Sequence, residues 1–216
     1  MQATQHENDA LLRRMVAHLR RHVGPVEQVF CTPSRSPLHI DILHVPPMPW
    51  RRCHTLVTCG MSLRPMRAPA GLDDCRHAEL FLSLPPEWRV GIGPIGEEDF
   101  WPFRELARLA HFPHERDTWI WFGHTFASSD PDERITPGAG FTGWILGPHL
   151  SLGHDGCVLR HRRREIVIHS MMPLYREEIE LAHQRGVWVL FDLLCLTGVS
   201  ELIDVLRPRV TGGRTH

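Results

Sequence analysis

HAELFLSL, residues 77–84, sets Ala78, Leu80, Leu82 and Leu84 against His77, Glu79, Phe81 and Ser83. A period of two is the signature of a strand with at least one covered face. Three short runs before it, PVEQVFC (25–31), LHIDILHV (38–45) and HTLVTCG (54–60), read as further strands. Upstream, Leu11, Leu12, Met15, Val16 and Leu19 lie on one stripe with arginines opposite. This is an amphipathic helix with Asn8 or Asp9 near its start, ending near Gly24-Pro25. Between Glu98 and Phe112 the spacing of Phe100, Phe103, Leu106, Ala107 and Ala110 changes to a helical period, with acids in the first turn.

Beyond that helix, DTWIWFGHTF (117–126) and GFTGWILG (140–147) read as strands separated by a Ser, Asp, Pro and Gly loop, and CVLRHRRREIVIHSMM (157–172) as strand, charged turn and strand. YREEIELAHQRG (175–186) is a helix stopped by Gly186. VWVLFDLLCL (187–196), apolar on all sides, is a buried helix or strand, and VSELIDVLRPR (199–209) a last short helix capped by Ser200. No repeat appears. The expectation is an α+β (mixed α/β) single domain whose mixed or antiparallel sheet is packed by several helices. Residues 1–24 form its N-terminal helix, 25–207 its body and 208–216 a polar tail.

At 216 residues and 42% hydrophobic content, the chain can bury one substantial core. No run approaches the ~18–20 apolar residues that span a bilayer. The polar start MQATQHENDALLRR lacks the features of a secretion signal, so a cytoplasmic protein is expected. Six scattered cysteines, none in a C-x-x-C pair, read as reduced and mostly buried thiols. A net charge of −1 supplies no general attraction to nucleic acid or membrane, so neither is expected as a partner. All 24 basic residues counted as Lys or Arg are arginine. Without lysine, Schiff-base catalysis, a P-loop of the usual kind and kinase chemistry are excluded.

Gly91, Gly93 and Gly96 spell G-x-G-x-x-G, but Pro94 removes an N–H and Glu97, Glu98 and Asp99 place negative charge where a phosphate would sit. A connecting loop is the better reading, and no cofactor is expected. Among the sixteen histidines, His39 and Asp41 share a strand face while His44 points away. Two ligands do not hold zinc, so no metal is assigned and Asp41 is read as orienting His39. His111 and His114 read as a solvated helix terminus. A hydrolase would have to draw on His39, Asp41, His54 and Cys59, or on Ser62 as nucleophile, but Cys59 ends an apolar strand and Ser62 lies in no G-x-S-x-G elbow. Glu177 and Glu178 diverge on a helix and read as a solvated face. No catalytic residue is assigned, and the protein is not expected to be an enzyme.

Taken in order, LHIDILHVPP, TLVTCGMSLRPM, AELFLSLPPEW, WIWFGHTF, FTGWILGP and MMPLYREEIELAHQRGV resemble the suppressor-of-fused domain family, chiefly its single-domain bacterial members, from about residue 25 to about residue 207. The resemblance implies a mixed α/β domain that binds proteins and has no known catalytic activity. In the animal relative a second domain follows, and a peptide of a zinc-finger transcription factor is clamped between the two as an added strand. This sequence stops where that second domain would begin. Bacterial relatives are often encoded beside polymorphic toxins and are taken to be immunity proteins that bind and neutralise them. The expected partner is therefore a protein, a toxin domain encoded nearby, with a regulatory adaptor as the alternative. The partner-binding residues assigned are His39, Asp41, Thr58, Gly60, Met61, Arg64, Met66, Arg67 and Glu79. Met61, Arg64, Met66 and Arg67 are placed on an exposed turn, with one methionine facing in and one out. For a nuclease toxin, Glu97, Glu98 and Asp99 or Asp130, Asp132 and Glu133 would mimic nucleic acid.

Overall fold

The computed structural model describes residues 2–32, 38–90, 97–127, 130, 134–135 and 138–212. The three glycines of the G-x-G-x-x-G pattern, Asp132 and Glu133, and the side chains of Glu97 and Glu98 lie outside what is described. The elements in chain order are α1 (Gln2–His22), β1 (Gln28–Cys31), β2 (Asp41–Val45), β3 (His54–Cys59), β4 (Ala78–Leu84), α2 (Glu97–Glu115), β5 (Thr125–Ala127), β6 (Gly143–Gly147), the single turn α3 (His154–Cys157), β7 (Val158–His161), β8 (Arg164–Leu174), α4 (Arg176–Arg185) and α5 (Val187–Leu196). One mixed sheet runs β1-β2-β3-β4-β8-β6-β5, with β7 paired to the first half of β8. Among the described strand pairs β4–β8 is parallel and the others are antiparallel.

The period of two in β4 sorts its side chains between two cores. Ala78, Leu80, Leu82 and Leu84 meet Trp101, Phe103, Leu106, Leu109 and Ala110 of α2. Phe81 packs on the other side with Leu43, Val57 and Cys59, beneath Leu11, Met15 and Leu19 of α1 and Val23 just past its end. Both faces of β4 are therefore covered, and the strand is buried along its whole length. A third cluster joins Ile145, Met172 and Leu174 to Ile179, Leu190, Phe191 and Leu194 of α4 and α5. The α+β expectation is met, and β1 to β4, β6 to β8, α2 and α4 fall where periodicity places them. Helix α1 is also present but begins at Gln2, so Asn8 and Asp9 lie within it and do not cap it.

Three segments differ. DTWIWFGHTF is a strand only over Thr125–Ala127. A turn closed by His124 N–H to the Trp121 carbonyl, with Gly123 at φ 81°, interrupts the run. VWVLFDLLCL is helical but not buried all round: Trp188 is 66% and Leu196 82% exposed. VSELIDVLRPR forms no helix. Ser200 Oγ accepts the Leu202 N–H and Asp204 Oδ1 the Leu206 N–H, local turns that compete with helical bonding. Ile203 instead donates its N–H to the Ser83 carbonyl and buries its side chain beside β4. The cysteines are all free, but only Cys53 and Cys59 are buried, whereas Cys31 and Cys195 are exposed.

Candidate functional site

Strand β3 ends at Gly60, whose φ of 128° turns the chain into a short 3-10 turn, Met61–Leu63. A Cβ at Gly60 would run into the His39 backbone oxygen, so the position needs glycine for space as well as for angle. The turn leaves backbone groups without strand partners, and a buried carboxylate collects them. Glu79 Oε1 accepts from Gly60 N–H (3.0 Å), Ser62 N–H (3.0 Å) and Ser62 Oγ (2.6 Å), and its Oε2 accepts from Thr58 Oγ1 (2.6 Å). Thr58 Oγ1 accepts the Leu80 N–H at 2.8 Å, cross-linking β3 to β4 just past their last backbone pair. Burial raises the Glu79 pKa, and the four hydrogen bonds oppose the rise.

The carbonyls of the turn are held as firmly. His77 Nδ1–H donates to Ser62 O at 2.8 Å and His114 Nε2–H to Met61 O at 3.0 Å. Both rings titrate below their ordinary range because they are half-buried. His114 is thus a brace, and His111 is buried with neither ring nitrogen bonded; this helix end is not solvated. Met61 and Met66 are both buried in the core under α2, correcting the reading that places one outside. The 3-10 turn rolls Met61 inward, and the Met66 N–H bonds the Arg76 carbonyl at 2.8 Å. Arg64 and Arg67 remain at the surface, Arg67 in an exposed ion pair with Asp117.

His39 is half-exposed, with Nε2 2.9 Å from Asp41 Oδ1, as the pairing of the two residues predicts. The hydrolase set is not assembled. His54 and Cys59 occupy opposite ends of β3, and the His54 ring is engaged with His44 (2.9 Å) and the Pro86 carbonyl (3.2 Å). Cys59 is buried beneath α1, where desolvation and the nearby Glu79 and Asp41 push its thiol well up, away from a nucleophilic thiolate. Glu178 is likewise not a solvated acid. It forms a two-pronged pair with Arg207 (2.8 and 2.6 Å) and accepts the Tyr175 and Val210 N–H groups.

Two depressions flank this framework. One, about 510 Å³, includes Trp50, Arg51, Ser151, Glu201 and Leu202. Two of its charged groups are internally engaged: Arg51 donates to Thr55, Ser83 and Ser151, and Glu201 accepts from Ser151. The other, about 660 Å³, runs between the open edge of β1 and α2, with Val29 and Phe100 on its rim and Arg104, Arg108 and His111 along the helix.

A family model described as "Suppressor of fused protein (SUFU)" matches residues 36–208. The chain belongs to the suppressor of fused family. Solved structures share the SUFU fold at low sequence identity. A protein described as a SUFU homologue of Neisseria gonorrhoeae superposes with a TM-score of 0.63 at 14% identity, covering 96% of this chain and 98% of that one. The chain of a Sufu-Fu complex gives 0.64 at 13% identity, covering 93% and 92%. Drosophila Suppressor of Fused gives 0.60 at 14% identity, covering 94% of this chain and 50% of that one. No curated protein sequence matches. In SUFU terms, TLVTCGMS is the segment whose Thr58, Gly60 and Ser62 converge on Glu79, and MPLYREE carries the Glu178 that grips Arg207. Sequence reasoning missed the roles of Ser62, Glu178 and Arg207. The one local signal was the period-two pattern placing Glu79 on the same strand face as Phe81.

Proposed function

We propose that this protein is a non-enzymatic, protein-binding module, specifically an immunity-type protein that neutralises a toxin domain by direct binding in the cytoplasm. The observation that carries the reading is the use made of Glu79: the buried acid at the centre of the candidate site is spent holding a turn in shape, and that turn presents Arg64 and Arg67 outward. A preorganised surface loses little entropy on binding, and arginines make forked contacts with carboxylates. His39, oriented by Asp41, extends the same rim. Thr58, Gly60, Met61, Met66 and Glu79 act from beneath as positioning residues. An acidic partner surface fits this rim. Family membership and the Sufu-Fu complex among the structural neighbours support protein binding as the activity.

The test is co-expression with the products of the neighbouring genes, screened for one that is toxic by itself. The expected result is a stoichiometric complex and cell survival, with the Arg64→Glu/Arg67→Glu double variant weakening the complex at least about tenfold. Killing that continues despite co-expression, with no complex, overturns the immunity role. The Sufu-Fu complex also motivates a regulatory adaptor. That reading expects a complex with a regulator and no toxicity phenotype.

A further inference from the structure

Strand register brings together side chains that lie far apart in sequence. Cys31 of β1 is the cross-strand partner of Asp41 of β2, and Asp41 in turn is the partner of Cys59 of β3. Directly opposed residues project to the same sheet face about 5 Å apart. His39, two residues before Asp41, leans onto the same place. One sulfur, one imidazole nitrogen and one carboxylate oxygen, from Cys31, His39 and Asp41, lie within 4.8 Å of one another.

We propose that Cys31, His39 and Asp41 form a zinc site with an open fourth position. The donor set selects the metal. Mixed sulfur, nitrogen and oxygen ligands suit Zn²⁺, whereas Ca²⁺ and Mg²⁺ require shells of six or more oxygens. Zinc bonds of about 2.0–2.3 Å in a tetrahedron separate donors by roughly 3.5 Å, so the present cluster closes by a side-chain rotation of about one ångström. Cys31 and His39 are exposed and free to make that rotation. Cys59 projects to the same face but is covered by α1, and it is not in the 4.8 Å group that Cys31, His39 and Asp41 form.

A further observation points to a ligand here. The Asp41 oxygen that approaches His39 is buried and completes no well-formed hydrogen bond. Bound zinc would tie the end of β1 to the start of β2, next to the Gly60 turn. The site goes beyond the protein-binding reading and stands or falls separately from it.

Cobalt titration of the purified, reduced full chain tests it. One Co²⁺ per chain is expected, with a thiolate-to-cobalt charge-transfer band that Zn²⁺ displaces. Cys31→Ser should abolish the band while leaving the metal-free melting temperature unchanged, since Cys31 is exposed. His39→Ala and Asp41→Asn should each weaken binding at least tenfold. Zinc should protect Cys31 from alkylation in the unmutated protein. No charge-transfer band, or a band of equal strength in Cys31→Ser, overturns the proposal.

Discussion

Glu79 is a carboxylate cut off from water with four donors around it, and such a group is costly to disturb. Glu79→Ala would strand two hydroxyls and two N–H groups, each worth about 1–3 kcal/mol when left unsatisfied. The expected loss is at least about 3 kcal/mol in urea unfolding. Glu79→Gln keeps the volume but points an amide N–H₂ at groups that are mostly donors, and should lose about 1–2 kcal/mol. Gly60→Ala meets both a disfavoured φ and the His39 carbonyl, so a loss of about 2 kcal/mol or more is expected. A Gly60→Ala protein as stable as the parent would mean that the turn is not held as described.

At the scale of elements, α4 is fastened by its own first turn. Tyr175 begins the helix, Glu178 reaches back to the Tyr175 N–H, and the same carboxylate grips Arg207, whose guanidinium also lies 5.0 Å from the Phe141 ring centre and 4.9 Å from that of Tyr175. Both partners of the ion pair are buried, at 5% and 0% exposure. Removing one leaves the other uncompensated, so Arg207→Ala should lower stability by about 3–5 kcal/mol; Arg207→Lys, which cannot make the fork, should recover only part. The non-helical segment after α5 makes a sharper prediction. Ile203→Ala should lose about 2–5 kcal/mol, whereas Leu206→Ala, on an 86%-exposed side chain, should stay within about 0.5 kcal/mol. In an amphipathic helix Leu206, three residues on, would share the burial of Ile203. Leu206 is instead open and Ile203 fully closed.

For the whole molecule, buried neutral histidines govern behaviour in acid. Burial lowers His44 and His149 to about 4 and His169 to about 3. Unfolded, each would titrate near 6.5. Between those values the unfolded chain binds more protons than the folded one, so stability is greatest above about pH 6.5 and falls as pH drops toward about 4. The slope is at most about 1.4 kcal/mol per pH unit for each histidine. His54, His77, His111, His114 and His124 are shifted in the same direction. The urea midpoint should be flat near neutrality and decline steeply below it, and His169→Gln should make the decline shallower. A midpoint unchanged between about pH 7 and pH 5 would contradict neutral burial.

Much of this architecture can be read without coordinates. The alternation in HAELFLSL, the stripes of α1 and α2, Gly186 after α4 and the family likeness each depend on neighbours a few residues away, and local periodicity encodes which face of an element is apolar. What periodicity does not encode is what lies across the strand or beneath the turn. That Glu79 receives Thr58, Gly60 and Ser62, that both methionines turn inward and that residues 199–209 pair with β4 instead of coiling were settled by distant partners. The meeting of Cys31 with Asp41 depends on strand register. Register and burial are set by closure of the whole core, and a buried polar group is tolerated only where the assembled chain supplies its hydrogen bonds.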